Sequence, residues 1–176
     1  MDNKTLSDII VSQYKASLGM LRQAIEMTPE KLWNSDDYNN PNWQIAYHVL
    51  WSIKFYLGAN TESYEPWTNA IEGAESLGGS QDWENPDKGI TVEGSHSKED
   101  LLSFIDDLEM NLPNAIEGLP FHEPSGFEWY PYSRLELHIN TIRHIQHHTA
   151  QLIERLKANG ETGFPWWADQ NSPQEW

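Results

Sequence analysis

The chain has 176 residues, no cysteine, and 11 lysines and arginines against 27 acids, for a formal net charge of −16. That length suits one domain with its own core; the missing cysteine excludes disulfides, thiolate metal sites and cysteine nucleophiles, and the charge argues against nucleic acid and anionic lipid as partners. No secretory h-region stands in Met1–Ile10 and no apolar run approaches the roughly 18 residues of a spanning helix, so the expectation is a cytoplasmic protein that does not engage a membrane.

Helical period appears first from Thr5 to Met27, where Leu6, Ile9, Ile10, Tyr14, Leu18, Leu21 and Ile25 recur at steps of three and four. Thr28, Pro29 and Glu30 break this helix. A second, strongly aromatic helix opens at Asn40, read as a capping residue, with Pro41 in its first turn, and runs to Leu57 before Gly58. In the long stretch that follows, Trp67, Ala70, Ile71, Ala74 and Leu77 have helical spacing, which predicts a short amphipathic helix closed by Gly78 and Gly79.

A third long helix starts at Ser97 and Asp100 in capping-box spacing and continues through Leu101, Phe104, Ile105, Leu108 and Leu112 to about Gly118. An aromatic-rich connection, Phe121 to Tyr132, leads to the fourth, which opens with the Ser133/Glu136 capping box and runs unbroken to Asn159 and Gly160. The fold expected is all-α, a four-helix bundle with long connections between the second and third helices and before the fourth. The apolar tail Phe164–Trp167 should dock on the bundle or on a second subunit. Trp33, Trp43, Trp67 and Trp83 read as core or interface anchors.

The acids are unevenly placed. Seven lie between Lys54 and Lys88 (Glu62, Glu65, Glu72, Glu75, Asp82, Glu84, Asp87) and eight between Lys98 and Arg134, with no base in either stretch. They read as a solvated face that keeps the protein soluble.

With cysteine absent, the seven histidines are the main reservoir for chemistry. His144 and His148, four apart on the fourth helix, share a face one turn apart, a spacing that fits either two imidazoles on one metal or a solvated polar edge. On the helical wheel they lie with Gln151, below Leu137 and Thr141, in a semi-polar stripe beside the apolar centre made by Ile142, Ile145, Thr149, Leu152, Ile153 and Leu156. His48, amid Ala46, Tyr47, Val49, Leu50 and Trp51, faces inward as a satisfied core histidine or as a third ligand. His147 points to the solvent side, His138 to the apolar side, and His122 lies in the aromatic connection. HExxH, GxSxG, the Walker loop and GxGxxG are absent, and the single ExxH, Glu93 to His96, precedes a helix instead of lying on one.

Over nearly its whole length the chain resembles the DinB-like (YfiT-type) superfamily of metal-dependent enzymes. The resemblance rests on His48 within NPNWQIAYHVLWSIKFYLGA, on SKEDLLSFIDDL, and on SRLELHINTIRHIQHHTAQLIERL, where His144, His148, Gln151 and Leu152 give HxxxHxxQL. Ala150 stands where that family usually has a small residue, often glycine, a mild departure. The resemblance implies a divalent metal, zinc or nickel foremost, on His48, His144 and His148; by helix spacing Gln151, one turn beyond His148, reads as an orienting residue or a surface glutamine, and Trp51, three residues after His48, as a pocket wall. It also implies a homodimer, and a small-molecule substrate turned over by hydrolysis or by transfer of a low-molecular-weight thiol. A chain without cysteine would need that thiol from outside. A different class remains open, a metal-binding or interaction bundle without turnover.

Overall fold

The computed structural model describes residues 2–78 and 92–171. Its helices are α1 (Asn3–Met27), the one-turn α2 (Glu30–Trp33), α3 (Asn42–Tyr56), α4 (Lys98–Ile116) and α5 (Arg134–Ala158), with one 3-10 turn at Thr61–Ser63. Among the described residues the only β pairing is an isolated bridge between Pro124 and Ser133.

The caps of α4 and α5 follow from sequence. Ser97 and Ser133 each accept the backbone N–H of the acid three residues on, and that acid's carboxylate accepts the serine's own N–H, so two otherwise unbonded donors are satisfied at each start. α5 closes at Asn159 and Gly160, the latter at φ 92°, where the left-handed turn favours glycine. The start of α3 differs from expectation. Pro41, extended at φ −64° and ψ 161°, occupies the cap position without a side-chain cap, and Asn40 lies outside the helix. Both asparagines there are drawn to α5 instead: Arg155 donates to the Asn40 carbonyl and to Asn42 Oδ1, each at 2.8 Å, and its guanidinium lies over the Tyr38 ring.

Apolar stripes on the four long helices enclose the main core, built on Tyr14, Leu18, Leu21 and Ile25 of α1, Leu50 and Ile53 of α3, Phe104 and Ile105 of α4, and Ile145, Leu152 and Leu156 of α5. Ile9 is an exception to the expected α1 stripe. It is 44% exposed, because the inward position on that turn is taken by Ser7, whose hydroxyl donates to the Ile116 carbonyl of α4. Arg22 ties the same two helices through ion pairs to Asp106 and Glu109. Trp33 and Trp43 are core residues, and Trp67 stacks on Phe104 at 4.3 Å. In the tail, the Trp167 ring rests on Gly19 of α1, Phe164 packs on the core, and Trp166 stays 52% exposed.

The long helices pack chiefly two on two, α1 and α3 each against α4 and α5, with lesser contact between α1 and α3 and between α2 and α3. Contacts between helix ends fix directions. α1 begins where α4 ends, through Ser7 and Ile116, and α3 ends where α5 begins, through Arg134 and Gly58, so both pairs are antiparallel. Tyr47 meets Phe104 near the starts of α3 and α4, while Lys54 and Leu57 share a surface with Asp107, Leu108 and Asn111 further along, so these two run parallel. A parallel pair forces the chain to return the length of α3, roughly 22 Å at 1.5 Å per residue, before α4 can start, which is why the connection is long.

The expected helix over Trp67–Leu77 does not form. The segment is a run of turns, with Ala70 N–H donating to Trp67 O, Ala74 to Ile71 O and Ser76 to Gly73 O, and Gly73 at φ 80° breaks right-handed helix in its middle. The apolar spacing is nonetheless used, since Ala74 is fully buried and Trp67, Ile71 and Leu77 pack on the core. Gly79, Asp82, Trp83, Glu84 and Asp87 lie outside the described residues.

The second connection folds onto the ends of α3 and α5. Phe121 and Phe127 are buried, and Arg134 donates to the carbonyls of Gly58 (3.3 Å) and Ala59 (2.9 Å) just past the end of α3. Gly126, at φ 91°, lies so close to Ala59 that a Cβ would stand 2.0 Å from its carbonyl oxygen. Gly126→Ala is therefore expected to cost about 2 kcal/mol or more, read as a lowered urea midpoint. Gly118→Ala shares the positive φ (74°) but meets nothing within 4 Å, and should cost about 1 kcal/mol. Equal losses at the two positions would refute the close-approach argument.

Candidate metal centre

Antiparallel pairing of α3 and α5 sets His48, midway along α3, opposite His144 and His148 on α5. One ring nitrogen from each of the three lies within 4.8 Å of the others, a group that could hold a metal ion. His48 Nε2 and His144 Nε2 face each other at 3.0 Å.

The other nitrogen of each ring decides what those facing atoms are. His48 Nδ1 donates to the backbone carbonyl of Glu75, which can only accept. His148 Nδ1 donates to Gln151 Oε1 at 2.7 Å. His144 Nδ1 stands 3.1 Å from Ser52 Oγ, whose single proton is already given to the Val49 carbonyl at 2.7 Å, so toward His144 the hydroxyl accepts. Each imidazole thus carries its proton on Nδ1 and a bare lone pair on Nε2. Ligating histidines are commonly fixed in this way, through an acceptor behind the ring.

Burial keeps these rings neutral. It pushes His144 down to about 4, with the neighbouring charges of His48, His148 and His147 adding to the effect, and it pushes His148 down to about 4 against the opposing bond from Gln151. His48 is also lowered by burial, against its bond to Glu75 and that residue's carboxylate. Near neutral pH no proton is therefore available to sit between the two facing lone pairs. A divalent cation fits the gap: bonds of about 2.0–2.1 Å in tetrahedral geometry place two imidazole nitrogens roughly 3.3 Å apart, a few tenths of an ångström from what is found.

The environment is asymmetric. His148 is buried, whereas His48 and His144 also line an open cleft of about 720 Å³ with Trp51, Ser52, Tyr56, Asn140, Arg143 and His147. Trp51 forms an aromatic wall, stacked on Phe55 at 5.0 Å and set edge-on to Tyr64. Gln151 is solvent-exposed except for its bond to His148. His147 is exposed as its wheel position implies, yet it lies on the cleft rim with its ring 4.9 Å from that of His148.

The remaining histidines stand elsewhere. His138 is fully buried, hydrogen-bonded to the Tyr14 hydroxyl at 3.0 Å, and its Nε2 has no partner among the described residues. His96 is enclosed by the rings of Tyr47, Trp67 and Trp43, and His122 is exposed in the connection before α5. Sequence reasoning missed Ser52 and the Glu75 carbonyl. Ser52 was within reach of it, four residues after His48 on the same helix face. The carbonyl carries no sequence signal.

The chain matches no known family model, no curated protein and no solved structure. Among the described residues, no helix is long and apolar enough to cross a membrane.

Three buried or half-buried histidines held near 4 make the metal-free protein acid-sensitive. Burial, helped at His138 by the Arg134 charge, leaves His138, His144 and His148 neutral in the native state below the pH at which an unfolded histidine, at 6.5, takes up a proton. Between about 6.5 and 4 the unfolded chain binds more protons, so stability rises with pH across that window and falls on acidification through it. Urea midpoints in the presence of chelator should drop over this range. His138→Gln should flatten the dependence while leaving the His48/His144/His148 group intact, and an unchanged slope would contradict the assignment.

Proposed function

We propose that the chain is a divalent-metal-dependent enzyme of the DinB-like kind, with zinc or nickel held by Nε2 of His48, His144 and His148. Its reaction is transfer of an external low-molecular-weight thiol, or of water, to a small electrophilic molecule. The observation that carries this reading is the convergence of His48, His144 and His148, one ring nitrogen of each within 4.8 Å of the others and each Nδ1 bonded to an acceptor, beside an open cleft that His48 and His144 line.

A cation on three histidines keeps a coordination position open, and its Lewis acidity would acidify a water or thiol placed there. The chain's own residues do the rest. Ser52, Gln151 and the Glu75 carbonyl fix tautomer and ring orientation, so little rearrangement accompanies binding of the ion. Trp51 and Tyr56 offer apolar surface on which an organic substrate can lie beside the centre. The absence of cysteine is compatible with both routes; thiol transfer would draw its thiol from outside.

The test is metal stoichiometry of the purified chain beside His48→Ala, His144→Ala and His148→Ala. Each substitution should abolish stoichiometric binding, and retention of one equivalent by all three would overturn the proposal. Gln151→Leu and Ser52→Ala, which leave a ligand's Nδ1–H without its acceptor, should weaken affinity about 10- to 100-fold in competition with a chelator. Electrophile turnover measured with and without added bacterial thiols then separates thiol transfer from hydrolysis. Full metal occupancy with no turnover in either condition would instead favour a binding bundle.

A further inference from the structure

The cleft beside the three histidines has an electrostatic character opposite to that of the chain. Acids outnumber lysines and arginines 27 to 11 in the sequence, yet the described residues lining this cleft include no carboxylate and one permanent charge, the guanidinium of Arg143.

The chain has four arginines, and three of them have structural partners. Arg22 is paired with Asp106 and Glu109, Arg134 donates to the Gly58 and Ala59 carbonyls, and Arg155 is held by Asn40, Asn42 and the Tyr38 ring. Arg143 is solvent-exposed and makes no ion pair or hydrogen bond among the described residues. Asn140 and His147, one turn before and after it on α5, also line the cleft, so polar side chains form a strip parallel to the ligand pair His144 and His148. Glu75, the acid whose charge reaches His48, is not among the cleft's lining residues.

We infer that the cleft takes a small molecule bearing an oxyanion group, anchored by the Arg143 guanidinium, with its organic body against Trp51 and Tyr56 and its reactive end at the Nε2 cluster. The inference rests on the proposed metal reading and deepens it, making Arg143 the residue that selects the substrate's charge. A planar fork of N–H donors is suited to carboxylate, sulfonate or phosphate, and in an acidic protein an unopposed guanidinium marks where an anion can approach without repulsion.

The test uses matched ligands on the zinc-loaded chain, 3-mercaptopropionate against 3-mercapto-1-propanol, titrated calorimetrically. The anion should bind about tenfold or more tightly than the alcohol, as expected for one charge-assisted contact. Arg143→Gln should bring the ratio close to one with the alcohol's affinity unchanged, and Arg143→Lys should restore part of the preference. No preference in the wild type, or a preference that survives Arg143→Gln, would overturn the inference. Phenylacetate against phenylacetamide on the metal-free chain, followed through the arginine Nε–H resonances in NMR, tests the anchor separately. Failure to load zinc would thus count against the metal reading, while an Arg143 signal that does not move with phenylacetate would count against the anchor.

Discussion

Two bare imidazole lone pairs facing each other at 3.0 Å repel, and much of the architecture described above serves to hold them there. The antiparallel pairing of α3 and α5 sets the residues opposite one another, with Arg155 fixing one end of the pair and Arg134 the other. Burial then denies each ring a second proton. A polar group in such a place is tolerated when something satisfies it, and three neutral imidazoles with one nitrogen each within 4.8 Å of the others form a group that could hold a metal ion.

The topology supplies what the helices alone could not. Because α3 and α4 run parallel, the chain must travel back along the bundle, and its return path crosses the flank of α3. Ser76 O accepts from Gln44 and the Glu75 carbonyl accepts from His48 along that path. A regular helix over Trp67–Leu77 would have turned backbone carbonyls along its own axis. With Gly73 at φ 80° the segment turns instead, and the two carbonyls that meet α3 side chains lie just after that turn. The long connection is thus part of the site's support as well as a consequence of helix order.

This explains where the sequence was legible. Capping boxes at Ser97 and Ser133, glycine at the end of α5 and apolar periodicity are local signals with local causes, and they located the long helices to within a residue or two. The i, i+4 spacing of His144 and His148 and the inward face of His48 are helical facts too, which is why the cluster could be expected before its geometry was known. What escaped was set by interactions between distant segments. Asn40 has capping chemistry but is turned toward Arg155, Ile9 lies on an apolar period but loses its place to Ser7, and the Glu75 carbonyl has no side-chain signature at all.

The distribution of charge connects the surface with the site. Fifteen of the sixteen net negative charges fall between Lys54 and Arg134, in stretches that contain none of the three clustered histidines. Acids beside the centre would raise its affinity for cations in general and repel an anionic reactant at close range, where screening by salt is weakest. The described lining of the cleft holds no carboxylate and one permanent charge, that of Arg143, which makes no ion pair among the described residues, on a molecule that is negative as a whole. On the proposed reading, an anion would meet least repulsion at this cleft. The acidity that reads as a property of solubility would, on the same proposal, also bias which face of the protein a charged small molecule reaches.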